Sequence, residues 1–298
     1  MKKKILIMGY GNMARKYFRI LNKINKNLKI KFYTSQKKAN NLFYKKNDLK
    51  IFDPDIIFIC SSTDNHFKDL LKVNELFKKK IILIEKPIFN KVKKISLKNK
   101  VYVAYNLRYD PIINEIKNLI KNKKIWSIEV FCNSFMPRWR RRNYTKTYSA
   151  HQKLGGGVAL DLSHEIDFLL WFFKNIKIQY CLNNKISDLK ISSDDNLVLI
   201  GKSKNVKQII LHLNYYSKIN SRTINISGKN LDVRANLIEK KIRIEKDNKI
   251  INKSWAEKKF HKTFERQLKA VIYGQNIKSA TYNEGIKVLK VIEQIRVK

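Results

Sequence analysis

The sequence predicts an α/β chain in two parts: a doubly wound parallel sheet at the N-terminus, then an α+β domain with a large, mainly antiparallel open sheet. Three observations predict it. Short apolar runs such as Ile56-Ile57-Phe58-Ile59 alternate with helical patterns through the first third, as in a sheet covered on both faces. A glycine turn, Gly9-Tyr10-Gly11-Asn12-Met13-Ala14, joins the first such run to a helix. Beyond Asp110-Pro111 the strands lengthen and follow one another through short turns, which favours antiparallel pairing.

Taken in order, Lys4-Ile5-Leu6-Ile7-Met8 is apolar without alternation and reads as a buried strand. The helix after it carries Phe18 and Leu21 on one stripe beyond Arg15. Ile30-Lys31-Phe32-Tyr33 is a second strand, Ile56 to Cys60 a third, Ile81-Ile82-Leu83-Ile84 a fourth and Val101-Tyr102-Val103-Ala104 a fifth. Past Asp110-Pro111 an amphipathic helix runs through Ile116 and Leu119, and a strand follows from Ile125 to Phe135. A loop, a helix and several alternating strands between Ile176 and Ile244 come next, with turns at Ser227-Gly228 and Asp247-Asn248. Phe260 to Ile295 returns to helical periodicity. The expected domains are 1–110, 111–280 and a C-terminal helix, 281–298, that packs back on the first.

Composition narrows the classes. A chain of 298 residues with 44% apolar content can build two cores. No run approaches the roughly 20 apolar residues of a membrane span, so no membrane partner is expected. The N-terminus lacks the features of a secretory signal, and a cytoplasmic location is expected. Cys60, Cys132 and Cys181 are too few and too scattered for a disulfide framework or a zinc site. The net charge of +40 invites a nucleic-acid partner. Lysine, however, is spread over the whole chain, no basic segment is interleaved with aromatics, and no DNA-binding motif appears. No specific nucleic-acid partner is therefore expected.

The glycine turn has the order of a dinucleotide fingerprint, so the N-terminal part is expected to be a Rossmann domain. Gly9 makes the tight turn, Gly11 lets the backbone approach the pyrophosphate, and Ala14 permits close helix packing. Asn12 and Met13 then open the helix whose amides face the phosphates. NAD enzymes usually end the second strand with an acid, but Tyr33-Thr34-Ser35-Gln36-Lys37-Lys38 has none. Ser35 and Lys37 favour the 2′-phosphate of NADP over NAD.

Further motifs follow in order: Ser61-Ser62-Thr63-Asp64-Asn65-His66 after the third strand, Glu85-Lys86-Pro87 after the fourth, and Asn106-Leu107-Arg108-Tyr109 after the fifth. Gly155-Gly156-Gly157 then precedes Asp161, His164 and Asp167. In this combination the chain resembles the glucose-fructose oxidoreductase, inositol dehydrogenase and MocA family (Gfo/Idh/MocA) of NAD(P)-dependent oxidoreductases on sugars and polyols. Trp139-Arg140, Tyr148-Ser149-Ala150 and the Leu162 to Asp167 segment are most similar to members tied to surface-glycan sugar biosynthesis.

The resemblance implies a catalytic Lys86 beside the nicotinamide, where an ammonium favours a developing alkoxide. It implies His164 as general acid/base with Asp161 beside it, although many members place the aspartate four residues before the histidine and this chain places it three. The spacing puts Asp161, His164 and Asp167 on one face of a helix opened by the glycines. Structural alternatives stand beside these roles: a helix cap for Asp161, a satisfied core histidine for His164, an internal pair for Asp167. No metal is implied. Ser61, Ser62, Thr63, Asn65, His66 and Glu85 join Lys86 in the implied cofactor set, and Arg108, Arg140 and Tyr148 join Asp161 and His164 around the substrate. For His66 a satisfied loop histidine is the alternative.

Arg138, Arg140, Arg141 and Arg142 form the densest arginine cluster, suited to an anionic substrate such as a nucleotide sugar or sugar acid. A solvated basic loop is the alternative. A homo-dimer or homo-tetramer is expected from the open sheet face. A catalytically inactive nucleotide-binding regulator or scaffold is the other function class weighed, and Lys86 with His164 speaks against it.

Overall fold

The structure is a computed structural model that describes residues 3–35, 42–43, 46–139, 143–256 and 261–297. The chain divides into two compact units, one of residues 1–109 with 261–289 and the other of residues 110–260 with 290–298. Residues 261–280, assigned from the sequence to the second domain, thus cluster with the parallel-sheet unit.

In the first unit β1 (Lys4–Met8), β2 (Lys29–Tyr33), β3 (Leu42–Phe43), β4 (Ile56–Ile59), β5 (Ile81–Ile84) and β6 (Lys100–Val103) pair in parallel. The strand order is β15-β6-β5-β4-β1-β2-β3, with the two-residue β15 (Ala280–Thr281) antiparallel on β6. The order reverses at β1, so the crevice of such a sheet lies at the carboxyl ends of β1 and β4. Ile5, Leu6, Ile7, Ile57, Phe58 and Ile59 are fully buried, because helices cover both faces and leave no position for alternation. Between the strands run α1 (Asn12–Ile24), α2 (Lys46–Phe52) and α3 (Thr63–Leu76). Further along, α7 (His261–Tyr273) places Leu268, Val271 and Ile272 in one core with Ile7, Tyr17 and Phe58. That shared core is why a segment so distant in sequence joins this unit.

The second unit opens with α4 (Pro111–Leu119), capped by Asp110, whose side chain accepts from the Ile112 amide at 2.9 Å. Its sheet holds β7 (Ile125–Phe135), β8 (Lys177–Asn184), β9 (Asn196–Ser203), β10 (Val206–Asn214), β11 (Tyr216–Gly228), β12 (Leu231–Asn236), β13 (Lys241–Lys246) and β14 (Lys249–Ser254). The order is β14-β13-β12-β11-β7-β10-β9-β8, antiparallel except where β10 lies parallel to β7. α5 (Val158–Asp161) and α6 (His164–Phe173) belong to this unit, and α8 (Tyr282–Val297) closes the chain. Among the described residues no helix is long and apolar enough to cross a membrane.

The single helix expected to carry Asp161, His164 and Asp167 on one face is two helices. Leu162, at φ −96° and ψ 29°, ends α5, and His164 begins α6. Periodicity could not show the break, because Leu162 and Ser163 carry no glycine or proline signal.

Candidate active site

The glycine turn is built as its spacing requires. Gly9 has φ +94°, and a Cβ there would stand 2.9 Å from the Cys60 carbonyl and the Ser61 amide. Its own amide donates to the Tyr33 carbonyl at 2.9 Å. Gly9 is therefore fixed by packing against the ends of β2 and β4. Gly11 is different: it caps α1 at φ −72°, and a Cβ added to it meets nothing within 4 Å. No side chain caps the helix and its first turn holds no acid, so the amides at its start lack intrahelical acceptors and carry the positive end of the dipole. Open space before such a start fits a pyrophosphate, and the residues here suit a dinucleotide cofactor. Ala14 is fully buried, Met13 is partly buried against the core, and Asn12 accepts from Arg15 at 2.8 Å.

At the neighbouring strand end, Ser62 caps α3 and Asn65 donates to its hydroxyl at 2.9 Å. His66 is 1% exposed. Its Nδ1 lies 3.1 Å from the Pro87 carbonyl and 3.2 Å from that of Ile88, while Nε2 lies 3.1 Å from the Ser61 carbonyl. Burial lowers its pKa against the raising effect of those carbonyls. The ring thus ties the loop after β4 to the loop after β5, which is the satisfied-histidine alternative.

Glu85 also points inward. The Tyr17 hydroxyl of α1 donates to Oε1, and the Lys86 amide lies 3.3 Å from Oε2. Burial raises the Glu85 pKa, with the Tyr17 bond and Lys86 opposing. Lys86 itself is half-buried at the carboxyl edge of the sheet and its bond to Pro87 is cis. Arg108, expected around the substrate, is instead 2% exposed and ion-paired to Glu284 at 2.9 Å. Glu284 also accepts from Thr281. Burial raises the Glu284 carboxyl, yet Arg108 and Thr281 more than offset this and hold it low. A substrate anion would have to displace that pairing to reach Arg108.

In the second unit Asp161 is buried and its two oxygens are both used. Tyr148 donates to Oδ1 at 2.8 Å and Tyr215 to Oδ2 at 2.7 Å. Burial, then the Asp161 charge, pushes the Tyr215 hydroxyl well above its usual range. Tyr148 remains 38% exposed, so it carries the network to the surface. Trp139 packs edge-on to Tyr215 at 5.0 Å. The triple glycine is wedged into place: a Cβ on Gly156 would stand 2.5 Å from the Tyr148 carbonyl, and one on Gly157 2.4 Å from Asp194. Asp194 accepts from the Val158 amide at 2.7 Å, and Arg296 donates to the Gly156 carbonyl at 2.6 Å. His164 is half-buried at the head of α6, while Asp167 is fully buried. Beside them Glu165 accepts from Arg222 at 2.6 and 2.7 Å.

Sequence reasoning missed Tyr17 in the first unit and Tyr215, Arg222 and Asp194 in the second, which reach their partners across 36 to 68 residues of chain. No local pattern marks them. Ser35 is exposed at the end of β2. Lys37, Arg140, Arg141 and Arg142 lie outside the described residues, and Arg138 donates to the Lys218 carbonyl at 3.2 Å.

Solved dehydrogenase structures share this fold. A dehydrogenase (MviM) from Clostridium difficile matches with a TM-score of 0.76 at 22% identity, over 100% of this chain and 99% of that one. The fold is that of the Gfo/Idh/MocA dehydrogenases. myo-Inositol 2-dehydrogenase from Lactobacillus plantarum gives a TM-score of 0.79 at 18% identity, over 100% and 97%. The WlbA dehydrogenase from Bordetella pertussis, in complex with NADH and UDP-GlcNAcA, gives 0.75 at 15%, over 100% and 96%. By sequence, YteT of Bacillus subtilis (strain 168), named as a proposed oxidoreductase, is 27% identical over 134 residues, 42% of this chain and 31% of that protein. No family model matches the chain.

Proposed function

We propose that this chain is an NAD(P)-dependent oxidoreductase of the Gfo/Idh/MocA family, moving a hydride between the nicotinamide and a carbinol carbon of a sugar or sugar derivative, with NADP preferred. The observation that carries the reading is the open space at Gly11 before an uncapped helix start, on the same sheet whose strand β5 delivers Lys86. The amides of Asn12, Met13 and Ala14 hold the pyrophosphate, and Ser61, Ser62, Thr63 and Asn65 flank the nicotinamide ribose. A nicotinamide cofactor held there would supply the hydride acceptor or donor. Buried beneath, His66 and Glu85 fix the two loops that carry Ser61 and Lys86.

In the oxidation direction Lys86 hydrogen-bonds the substrate hydroxyl and favours the alkoxide, while His164 takes the proton. Asp161 orients Tyr148. Because that phenol donates its proton to Asp161, it offers lone pairs to a sugar hydroxyl. We assign the substrate to nucleotide sugars or sugar acids of glycan biosynthesis, with the arginine segment from Arg138 to Arg142 taking the anion. The UDP-GlcNAcA held by the WlbA structure supports this class. Cys60, Cys132 and Cys181 form no disulfide among the described residues, which suits a reducing cytoplasm.

The proposal extends to assembly as a homo-dimer through the open sheet face. On β12 and β13, Arg234 stands directly opposite Arg243 and Asp232 opposite Glu245. All four are exposed. Among the described residues none of them forms an ion pair. Like charges set opposite one another destabilise an isolated sheet. A second copy related by a two-fold axis brings the acidic pair of one onto the basic pair of the other. A concavity of about 580 Å³ lined by Glu129, Asn225 and these four residues leaves room for it.

The test is a panel of neutral sugars, sugar acids and nucleotide sugars read at the reduced-nicotinamide absorbance. Turnover by the wild type, and its loss in Lys86→Ala with cofactor binding kept, is expected. Turnover surviving Lys86→Ala would overturn the assignment of Lys86, and equal use of neutral and anionic sugars would overturn the anionic class.

A further inference from the structure

We propose that Lys72, seated on Tyr33, is the residue that selects a cofactor bearing a 2′-phosphate on its adenosine ribose. The inference rests on the nicotinamide-cofactor reading above and names the side chain that decides which form is bound.

Tyr33 ends β2, and its carbonyl holds the Gly9 amide at 2.9 Å, so its place is locked to the glycine turn. In sheets with this turn the ribose hydroxyls meet whatever the end of the second strand presents. Adjacent residues of that strand face opposite ways. Phe32 packs on Tyr10 and on Phe18 of α1, while Tyr33 turns to α3. There Lys72 donates its Nζ to the Tyr33 hydroxyl at 2.8 Å and stands 4.5 Å from the ring centroid.

The charge balance is the second observation. Lys72 is half-buried and, among the described residues, has no carboxylate partner; its contacts are that phenol and that ring. Asp69 and Glu75 lie three residues to either side on the same helix, where an ion pair could form, and neither pairs with it. The described residues at the strand end, Tyr33, Thr34 and Ser35, include no acid that could accept from a ribose 2′-hydroxyl. A neutral phenol therefore anchors an uncompensated ammonium on the side chain that ends β2. A phosphate is the group that matches it, as a compact charge-assisted acceptor. Lys72 lies 35 residues further along the chain than the lysine the strand-end pattern singles out, Lys37, so the pattern could not show it.

The experiment is fluorescence titration of the full chain with NADPH and with NADH, for the wild type, Lys72→Met, Lys72→Arg and Tyr33→Phe. Thermal unfolding without nucleotide controls for folding. Loss of one charged hydrogen bond predicts NADPH affinity about tenfold or more weaker in Lys72→Met, with NADH affinity within about twofold of wild type. Lys72→Arg keeps most of the NADPH preference, and Tyr33→Phe loses part of it. Equal weakening of both nucleotides, or no change in either, overturns the proposal. Wild type that binds NADH as tightly as NADPH overturns it too, while leaving the cofactor reading intact. Wild type that binds neither brings down the cofactor reading and this inference with it.

Discussion

Replacing each glycine of the turn by alanine separates folding from binding. At Gly11 the backbone is extended, with φ −72° and ψ −171°, and an added Cβ touches nothing. The small gain from a stiffer unfolded chain and the small loss from a poorer cap nearly cancel, leaving stability within about 0.5 kcal/mol. That methyl nevertheless fills the space through which a phosphate reaches the helix amides. Losing one such charge-assisted bond costs about 1.5–3 kcal/mol, or roughly tenfold to a hundredfold in affinity. Gly9→Ala inverts the pattern. It forces an L side chain to φ +94° and sets its Cβ 2.9 Å from two backbone atoms, for about 3 kcal/mol of stability from the left-handed backbone and overpacking together. The assay pairs thermal unfolding with NADPH fluorescence titration on both variants. A Gly11→Ala protein that melts like wild type and binds NADPH equally well would refute the phosphate cradle.

The remaining predictions concern charges. Glu165→Gln leaves the Arg222 guanidinium, 14% exposed, without its carboxylate and should cost about 3 kcal/mol in chemical denaturation, whereas Glu165→Leu combined with Arg222→Met should recover most of it. Glu85 has a folded pKa raised above its ordinary 4.5, so the folded state keeps a proton that the unfolded state loses. Its contribution to stability is full below pH 4.5 and is lost as pH climbs through the raised folded value. Glu85→Gln should flatten that decline, and an unchanged stability profile across the window would contradict the assignment. Arg234→Glu with Arg243→Glu should convert a dimer to monomer in sedimentation, while adding Asp232→Arg and Glu245→Arg should restore it; dimerisation indifferent to both would refute the two-fold charge match.

Why part of this molecule is readable and part is not follows from the range of the forces involved. The buried runs of β1, β4 and β5 and the Gly9 to Ala14 turn are local events, set within a few residues by burial on both faces and by steric freedom at φ +94°. Sequence therefore yields the parallel sheet and the strand end that Lys86 follows. The pairing of β10 with β7 in parallel, inside a sheet whose turns all indicate antiparallel neighbours, depends on contacts about 80 residues apart, and no local signal carries it. The same limit governs side chains. Arg108 stands in a motif that invites a substrate role, yet its fate is decided by Glu284, 176 residues away. Asp161 reads as a neighbour of His164 or a helix cap, while its actual second partner, Tyr215, lies 54 residues on. A charged residue's chemistry is set by its desolvation and its partners, and partners are a property of the fold. Motif residues that the fold then saturates, such as His66 between three carbonyls, tie one loop to the next. Residues the motifs never mention, Lys72 among them, can be the ones left with an unmet charge.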